Sequence, residues 1–307
     1  MPFSIQMSSY RGRFAPSPTG PLHLGSLFAA LISFLEARSN NGKWLLRIED
    51  VDTQREQPGA RQAIIHTLQT HGLNWDESIS LQSDRSHFYE QTLKQLAIHE
   101  CTYQCPCSRK QLITSKGEHL DICQKSASKV AGSRQSDFVL AEKTQYATKF
   151  KTENTQFSWV DNILGPMSVS HSEDFVLNRK EGFYAYQLAV VCDDIEQGIT
   201  HVVRGSDLLD STPLQLALFQ ALKVQAPTFG HFPILLNEQA QKLSKQTYAP
   251  AVNDQTPLQN LLCLFAILKL PITNTPSTVT EALQMALHVW DNHYIPAIKS
   301  LKDTPTV

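Results

Sequence analysis

Leu27, Phe28, Leu31, Ile32 and Leu35 recur at three- and four-residue spacing, the period of a helix with one buried face. Before them stand RGRFAPSP (residues 11–18) and a turn at Thr19-Gly20-Pro21; after Asn41-Gly42 comes the apolar run KWLLRI (43–48), closed by Glu49-Asp50-Val51-Asp52. The pattern predicts strand, glycine-bearing loop, helix and a second strand ending at a polar rim, which is one βαβ unit. Helices are predicted at 58–72, through Ile64, Ile65 and Leu68, and at 85–100, through Phe88, Leu93, Leu96 and Ala97. From about 101 to 175 the rhythm breaks into a polar, cysteine-rich stretch without a long apolar element, read as an insertion or small second domain. Strand character returns at Tyr186–Cys192 (YQLAVVC) and at His201-Val202-Val203, followed by a helix at 212–222. Leu261, Leu262, Phe265 and Leu268, then Leu283, Ala286, Leu287 and Trp290, predict two helices (257–269 and 279–290) packed on the main body. The expected organisation is an α/β domain in two halves, 1–100 and 184–250, an insertion at 101–183 and a helical C-terminal segment at 251–307.

Composition narrows the class. With 41% hydrophobic and 18% charged residues, and only 13 Gly and 16 Pro in 307, low-complexity and disordered chains are excluded. No apolar run reaches the roughly 18 residues of a membrane span. The start, MPFSIQMSSY, has no basic and apolar targeting pattern. A cytoplasmic monomer without membrane attachment is expected. The net charge of −2 hides an asymmetry: residues 101–160 carry nine basic and five acidic side chains, the only segment with the sign a polyanion favours. Charge alone leaves a plainly solvated surface open as the alternative.

Two strings carry phosphate chemistry. In RFAPSPTGPLHLGS (13–26) a strand delivers a glycine-bearing turn to a helix start, where unpaired backbone N–H groups and the positive end of the helix dipole can receive phosphate. His23, Gly25 and Ser26 sit at that position, although an ordinary βα turn with His23 as a cap would read the same in a shorter motif. In the second string, Lys242-Leu243-Ser244-Lys245, two ammonium groups flank a hydroxyl after the apolar run Phe232–Leu236, an arrangement able to hold a polyphosphate.

The cysteines carry a third. Cys105-Pro106-Cys107, His119 and Cys123 form C-x-C-x11-H-x3-C, a donor set suited to closed, tetrahedral structural zinc. Cys101 and His99 are competing ligands, and free thiols beside a surface histidine are the metal-free alternative. Metal would pin an insertion that lacks a core of its own.

Together HLGS and KLSKQ resemble the HIGH and KMSKS signatures of class I aminoacyl-tRNA synthetases. RIEDVDTQR (47–55), YAYQLAVVCDDIEQGITHVVRGSDLL (184–209) and LQLALFQAL before HFPILLNEQAQKLSK resemble the glutamyl branch, over most of residues 11–250 outside the insertion. The short length and the cysteine cluster resemble its glutamyl-queuosine tRNA(Asp) synthetase family. The resemblance implies a Rossmann-like class I catalytic domain with a zinc-bearing insertion and a short helical C-terminal segment. It implies activation of L-glutamate by ATP with Mg²⁺, independent of tRNA, and transfer to the queuosine base at the wobble position of tRNA(Asp).

It also implies roles. Arg13 would meet a glutamate carboxylate, with Phe14, Ala15, Pro16 and Ser17 along the same floor. Glu49 would hold the α-ammonium, Tyr186 would hydrogen-bond a carboxylate and Arg204 would take the other one. His23 and Lys245 would stabilise the phosphates as the carboxylate attacks, with Gly25, Ser26, Lys242 and Ser244 around the nucleotide. The family places a tyrosine where His119 aligns, so the third zinc ligand departs from its pattern. Structural alternatives are ion pairs of Arg13 or Arg204 with Asp50 or Asp207, and Tyr186 as a half-buried strand aromatic. Two other functions compete: a compact glutamyl-tRNA synthetase charging tRNA(Glu), and a non-enzymatic tRNA-binding paralogue.

Overall fold

The computed structural model describes residues 10–52, 55–108, 110–111, 146–152, 155–237, 239–243 and 249–301. Strand β1 (Arg11–Phe14) is followed by helix α1 (Leu24–Ser39) and strand β2 (Lys43–Ile48); β2 pairs in parallel with β1 on one side and β3 (Asp76–Leu81) on the other. Helix α1 is apolar around most of its circumference, and Leu27 through Ala37 are buried except Ala29. That explains why its periodicity is legible while its polar face is narrow. Helices α2 (Ala60–Thr70) and α3 (Ser86–Ile98) flank β3.

The insertion contains more regular structure than its composition predicts. Strands β4 (Thr102–Cys105), β5 (Ala147–Phe150) and β8 (Phe175–Asn178) make an antiparallel sheet, and β6 (Thr155–Asp161) and β7 (Gly165–His171) a hairpin. These strands are short and mostly half-exposed, so no long apolar run announces them.

The stretch Tyr186–Cys192, expected as a strand, is the start of helix α4 (Tyr186–Glu196). Leu188 through Asp194 are all buried, and a helix buried on every side has no apolar period to distinguish it from a buried strand. Strand β9 (His201–Gly205), helix α5 (Thr212–Leu222) and strand β10 (Thr228–Phe232) follow, with β9 and β10 parallel. Strand β9 runs along the other edge of β1: the Thr200 N–H donates to Arg11 O at 3.0 Å and the Arg11 N–H to Thr200 Oγ1 at 2.8 Å. The strands therefore lie in the order β3-β2-β1-β9-β10, and the chain reverses its direction of winding between β1 and β9. Such a switch point opens a crevice at the carboxyl ends of the strands.

Among the described residues two large apolar cores cover the sheet, beside a small cluster of Leu45, Ile199, Val202 and Phe229. One joins α1, α2 and the C-terminal helices α6 (Pro257–Ile267) and α7 (Val279–Val289); the other joins α3, α4 and α5 with Phe150, Phe157 and Leu177 of the insertion. Trp290 Nε1 donates to the buried Glu36 of α1 at 3.0 Å, tying the C-terminal segment to the first helix. The short strand β11 (Ile234–Leu235) pairs with β12 (Ser300–Leu301). No described helix is long and apolar enough to cross a membrane.

Candidate active site

At the switch point lies a cleft of about 710 Å³ lined by Arg13 to Ser17, His23, Gly25, Ser26, Glu49, Tyr186, Arg204 and Lys242, among others. Residues up to 229 positions apart in sequence, Arg13 and Lys242, are thus brought to one place by β1, β2, α1, α4, β9 and the segment at 242–243. Ser244 and Lys245 lie outside the described residues, but the adjoining Leu243 lines the cleft.

His23 is the N-cap of α1, its Nδ1 accepting the Ser26 N–H at 3.2 Å, with Ser26 Oγ 3.0 Å from Nε2. A nitrogen that accepts carries no hydrogen, so the neutral ring has its hydrogen on Nε2. A Cβ added at Gly25 would stand 3.2–3.3 Å from the His23 ring and 3.5 Å from the Leu243 carbonyl. Glycine here leaves room for the His23 ring over the first turn of α1, with the Leu243 carbonyl in ordinary contact beyond. Lys242 pairs across the cleft wall with Asp207 at 2.5 Å.

On the β1–β2 wall the charges are dense. Arg13 Nε donates to Asp194 at 3.1 Å, and Arg47, fully buried, meets the same carboxylate at 2.8 Å. Arg47 also lies 3.7 Å from Asp193 and 3.6 Å from Glu49. Asp193 in turn accepts from Gln82, Arg85 and Tyr89. Burial acts to raise the Asp194 carboxyl, but Arg13 and Arg47 hold it below the ordinary carboxylate range. Glu49 differs: burial pushes it up to about 7 against the pull of Arg47 and Arg13. Its Oε1 is buried with no hydrogen-bond partner among the described residues, an arrangement that costs free energy until a donor arrives.

On the β9–β10 wall Arg204 is 5% exposed and donates to three neutral acceptors: His231 Nε2 (3.1 Å), Gln215 Oε1 (2.8 Å) and Thr212 Oγ1 (2.9 Å). Burial lowers its proton affinity, as expected for an arginine housed without a bonded carboxylate. Burial also raises the Tyr186 phenol, and the Glu49 charge adds to it, so the hydroxyl remains a hydrogen-bond donor. Neither arginine takes the expected alternative partners. Arg13 pairs with Asp194 rather than Asp50, which binds Arg61 and Ser83, and Arg204 does not pair with Asp207.

Asp193, Asp194, Arg47, His231 and Asp161 carry no motif of their own. The signal that could have found them is an acid pair or a histidine inside an apolar run (VVCDDI, FGHFPIL), since a charge in a core needs a partner.

Cys105 and Cys107 are buried together against Tyr103, and Lys180 Nζ donates to the Pro106 carbonyl between them at 2.6 Å. His119 and Cys123 lie outside the described residues. Among the described residues no three side chains of metal-ligating type converge, so His99 and Cys101 do not complete a set with the two cysteines. His99 Nδ1 faces the Ala221 carbonyl at 3.2 Å, and the Cys101 thiol donates to His99 O.

Fold and cleft are those of a class I tRNA synthetase. The pattern of the family described as tRNA synthetases class I (E and Q), catalytic domain, matches residues 9–260. A glutamate tRNA ligase from Elizabethkingia meningosepticum, solved with its amino acid, superposes with a TM-score of 0.76 at 26% identity, over 96% of this chain and 67% of that one. The glutamyl-Q tRNA(Asp) synthetase of Idiomarina loihiensis is 44% identical over 92% of this chain and 96% of its own. That of Neisseria gonorrhoeae is 42% identical, over 94% and 97%. The chain belongs to the glutamyl-Q tRNA(Asp) synthetases, ligases of class I.

Proposed function

We propose that this chain activates L-glutamate with ATP, without help from tRNA, and transfers it to the queuosine base at the wobble position of tRNA(Asp). The observation that carries the amino-acid assignment is the charge pattern of the cleft. Arg204 is a buried cation whose bonded partners are all neutral, and Glu49 is a buried carboxylate with an unpartnered oxygen. A ligand that satisfies both carries a carboxylate and an ammonium. Arg13, which spends only Nε on Asp194 among its described hydrogen bonds, and the Tyr186 hydroxyl supply donors for a second carboxylate. Glutamate has these groups.

The class works on ATP with Mg²⁺, and the start of α1 is where phosphate would settle. Its backbone N–H groups and the dipole of a 16-residue helix favour an anion there, with the His23 Nε2–H and Ser26 Oγ paired at the same end. The glutamate carboxylate attacks the α-phosphorus, the bond to pyrophosphate breaks, and the negative charge that develops is met by His23 and, by the resemblance, Lys245 with Lys242 and Ser244. Positioning and electrostatics suffice for such a step, so no protein nucleophile is required.

By the sequence pattern and the resemblance, Cys105 and Cys107 would be two ligands of a tetrahedral zinc site, with His119 and Cys123 as the others. Zinc there would supply a closed cross-link for the insertion and no catalytic position. His119→Ala should lower zinc content and melting temperature together; unchanged zinc would exclude His119 as a ligand.

The test of the acceptor is transfer of labelled glutamate to tRNA(Asp) with and without queuosine. Label confined to the queuosine-bearing RNA and resistant to removal of its 3′ end is expected. Label at the 3′ end of tRNA(Glu) would instead identify a charging enzyme, and no activation by a folded protein would identify a binding paralogue.

A further inference from the structure

Asp161 closes strand β6 of the insertion hairpin, yet it is buried beneath the amino-acid cleft. Its Oδ1 accepts three backbone N–H groups, from Ile163 (3.1 Å), Leu164 (3.0 Å) and His231 (3.0 Å), and its Oδ2 pairs with His231 Nδ1. The hairpin turn rests on β10: Asn162 N–H donates to Phe229 O at 2.8 Å, and a Cβ at Gly230 would come within 3.3 Å of Ile163. Glycine next to His231 leaves room for the Ile163 side chain against β10.

The imidazole has one available role. A guanidinium only donates, so His231 Nε2, 3.1 Å from Arg204 Nε, must accept; the hydrogen is therefore on Nδ1 and points at Asp161. A carboxylate bonded directly to Arg204 would neutralise it, as Asp194 does for Arg13. Placing the carboxylate one imidazole away holds the guanidinium in a buried position and leaves its charge for a ligand.

We propose that Asp161 and His231 are positioning residues for the substrate carboxylate, fixing the tautomer that orients Arg204, so that the insertion hairpin helps to build the amino-acid site. The inference rests on the reading of Arg204 as a carboxylate receptor. It depends on hydrogen placement as well as shape, and substitutions of equal size separate the two. In Asp161→Asn the amide oxygen is claimed by the three backbone donors, and the NH₂ then faces His231 Nδ1. The ring must answer with the other tautomer, and its Nε2–H opposes the Arg204 Nε–H. In His231→Gln an amide oxygen can stand where Nε2 stood and keep the acceptor, whereas His231→Leu removes it.

The experiment is glutamate-dependent pyrophosphate exchange with these three variants and Arg204→Met, alongside ¹⁵N spectra of labelled histidine. An opposed or unpaired buried donor predicts a rise of about tenfold or more in glutamate KM for Asp161→Asn and His231→Leu, ATP KM holding within about twofold, and His231→Gln within about threefold of the parent. The spectra should place the hydrogen on Nδ1 in the parent and on Nε2 in Asp161→Asn. If Arg204→Met raises glutamate KM while the other three variants match the parent, the positioning role is refuted and the site reading stands. If Arg204→Met leaves KM unchanged, the reading of the site fails and takes the inference with it. A hydrogen on Nε2 in the parent overturns the inference even where a variant does not fold.

Discussion

The two walls of the cleft hold their arginines in opposite ways. On the β1–β2 wall Arg13 and Arg47 share Asp194, and Asp193 extends the network to Arg85. On the β9–β10 wall Arg204 is held by an imidazole, an amide and a hydroxyl. The first arrangement fixes charges against each other; the second, on the function proposed above, leaves one for an incoming anion. The lesson is that two buried arginines of similar exposure do different work, and that the bonded acceptors, rather than burial, tell them apart.

Breaking the first wall has the largest expected effect. Asp194→Ala leaves two buried guanidiniums without their shared carboxylate and should cost about 3–5 kcal/mol of stability, read by urea unfolding, with loss of glutamate activation. A stability close to the parent's would show that Asp194 is not what secures Arg13 and Arg47. Arg204→Met removes a buried cation but leaves three buried neutral acceptors without their donor, so it should lose less stability than Asp194→Ala, about 1–3 kcal/mol, while weakening glutamate by about 2 kcal/mol or more, roughly thirtyfold in KM. Equal stability losses in both variants would erase the distinction between the walls.

Glu49 sharpens the comparison through pH. Its carboxyl titrates at about 7 in the folded protein against an ordinary 4.5, so the folded state holds the proton longer and this group's contribution to stability falls as pH rises from 4.5 through 7. An ammonium can bind only the ionised form, so glutamate KM should climb toward about tenfold per pH unit below 7. Glu49→Gln should abolish that slope, bind glutamate weakly at every pH and melt less steeply with rising pH. A parent KM flat from pH 5 to 8 would remove Glu49 from the ammonium site. The smallest effect is expected at Gly25→Ala, where the close contact with the His23 ring opposes a better helix former. Stability should move by less than about 1 kcal/mol while ATP KM rises a few-fold, and an unchanged ATP KM would separate this turn from the nucleotide.

Much of the cleft lining was legible because the candidate chemistry is carried by contiguous strings. RFAPSPTGPLHLGS, RIED and VVRGSD each place their chemistry-bearing residues at a strand exit or helix start, and the cleft gathers them. The charge network beneath was not, because Asp161, His231, Asp193 and Asp194 are met by partners 27 to 181 residues away, which no local period encodes. Tyr186–Cys192 was misread for a related reason: an apolar run of seven residues satisfies both a buried strand and a buried helix. The insertion's strands are half-exposed and short, so polarity concealed them.

The most direct test of the account is pyrophosphate exchange into ATP with the pure protein and no RNA, comparing glutamate, glutamine and aspartate. Exchange that requires glutamate and ignores glutamine is predicted, because glutamine brings one carboxylate where the donors of Arg13, Tyr186 and Arg204 call for two. Exchange that begins only when tRNA(Glu) is added, or that accepts glutamine equally, would contradict it.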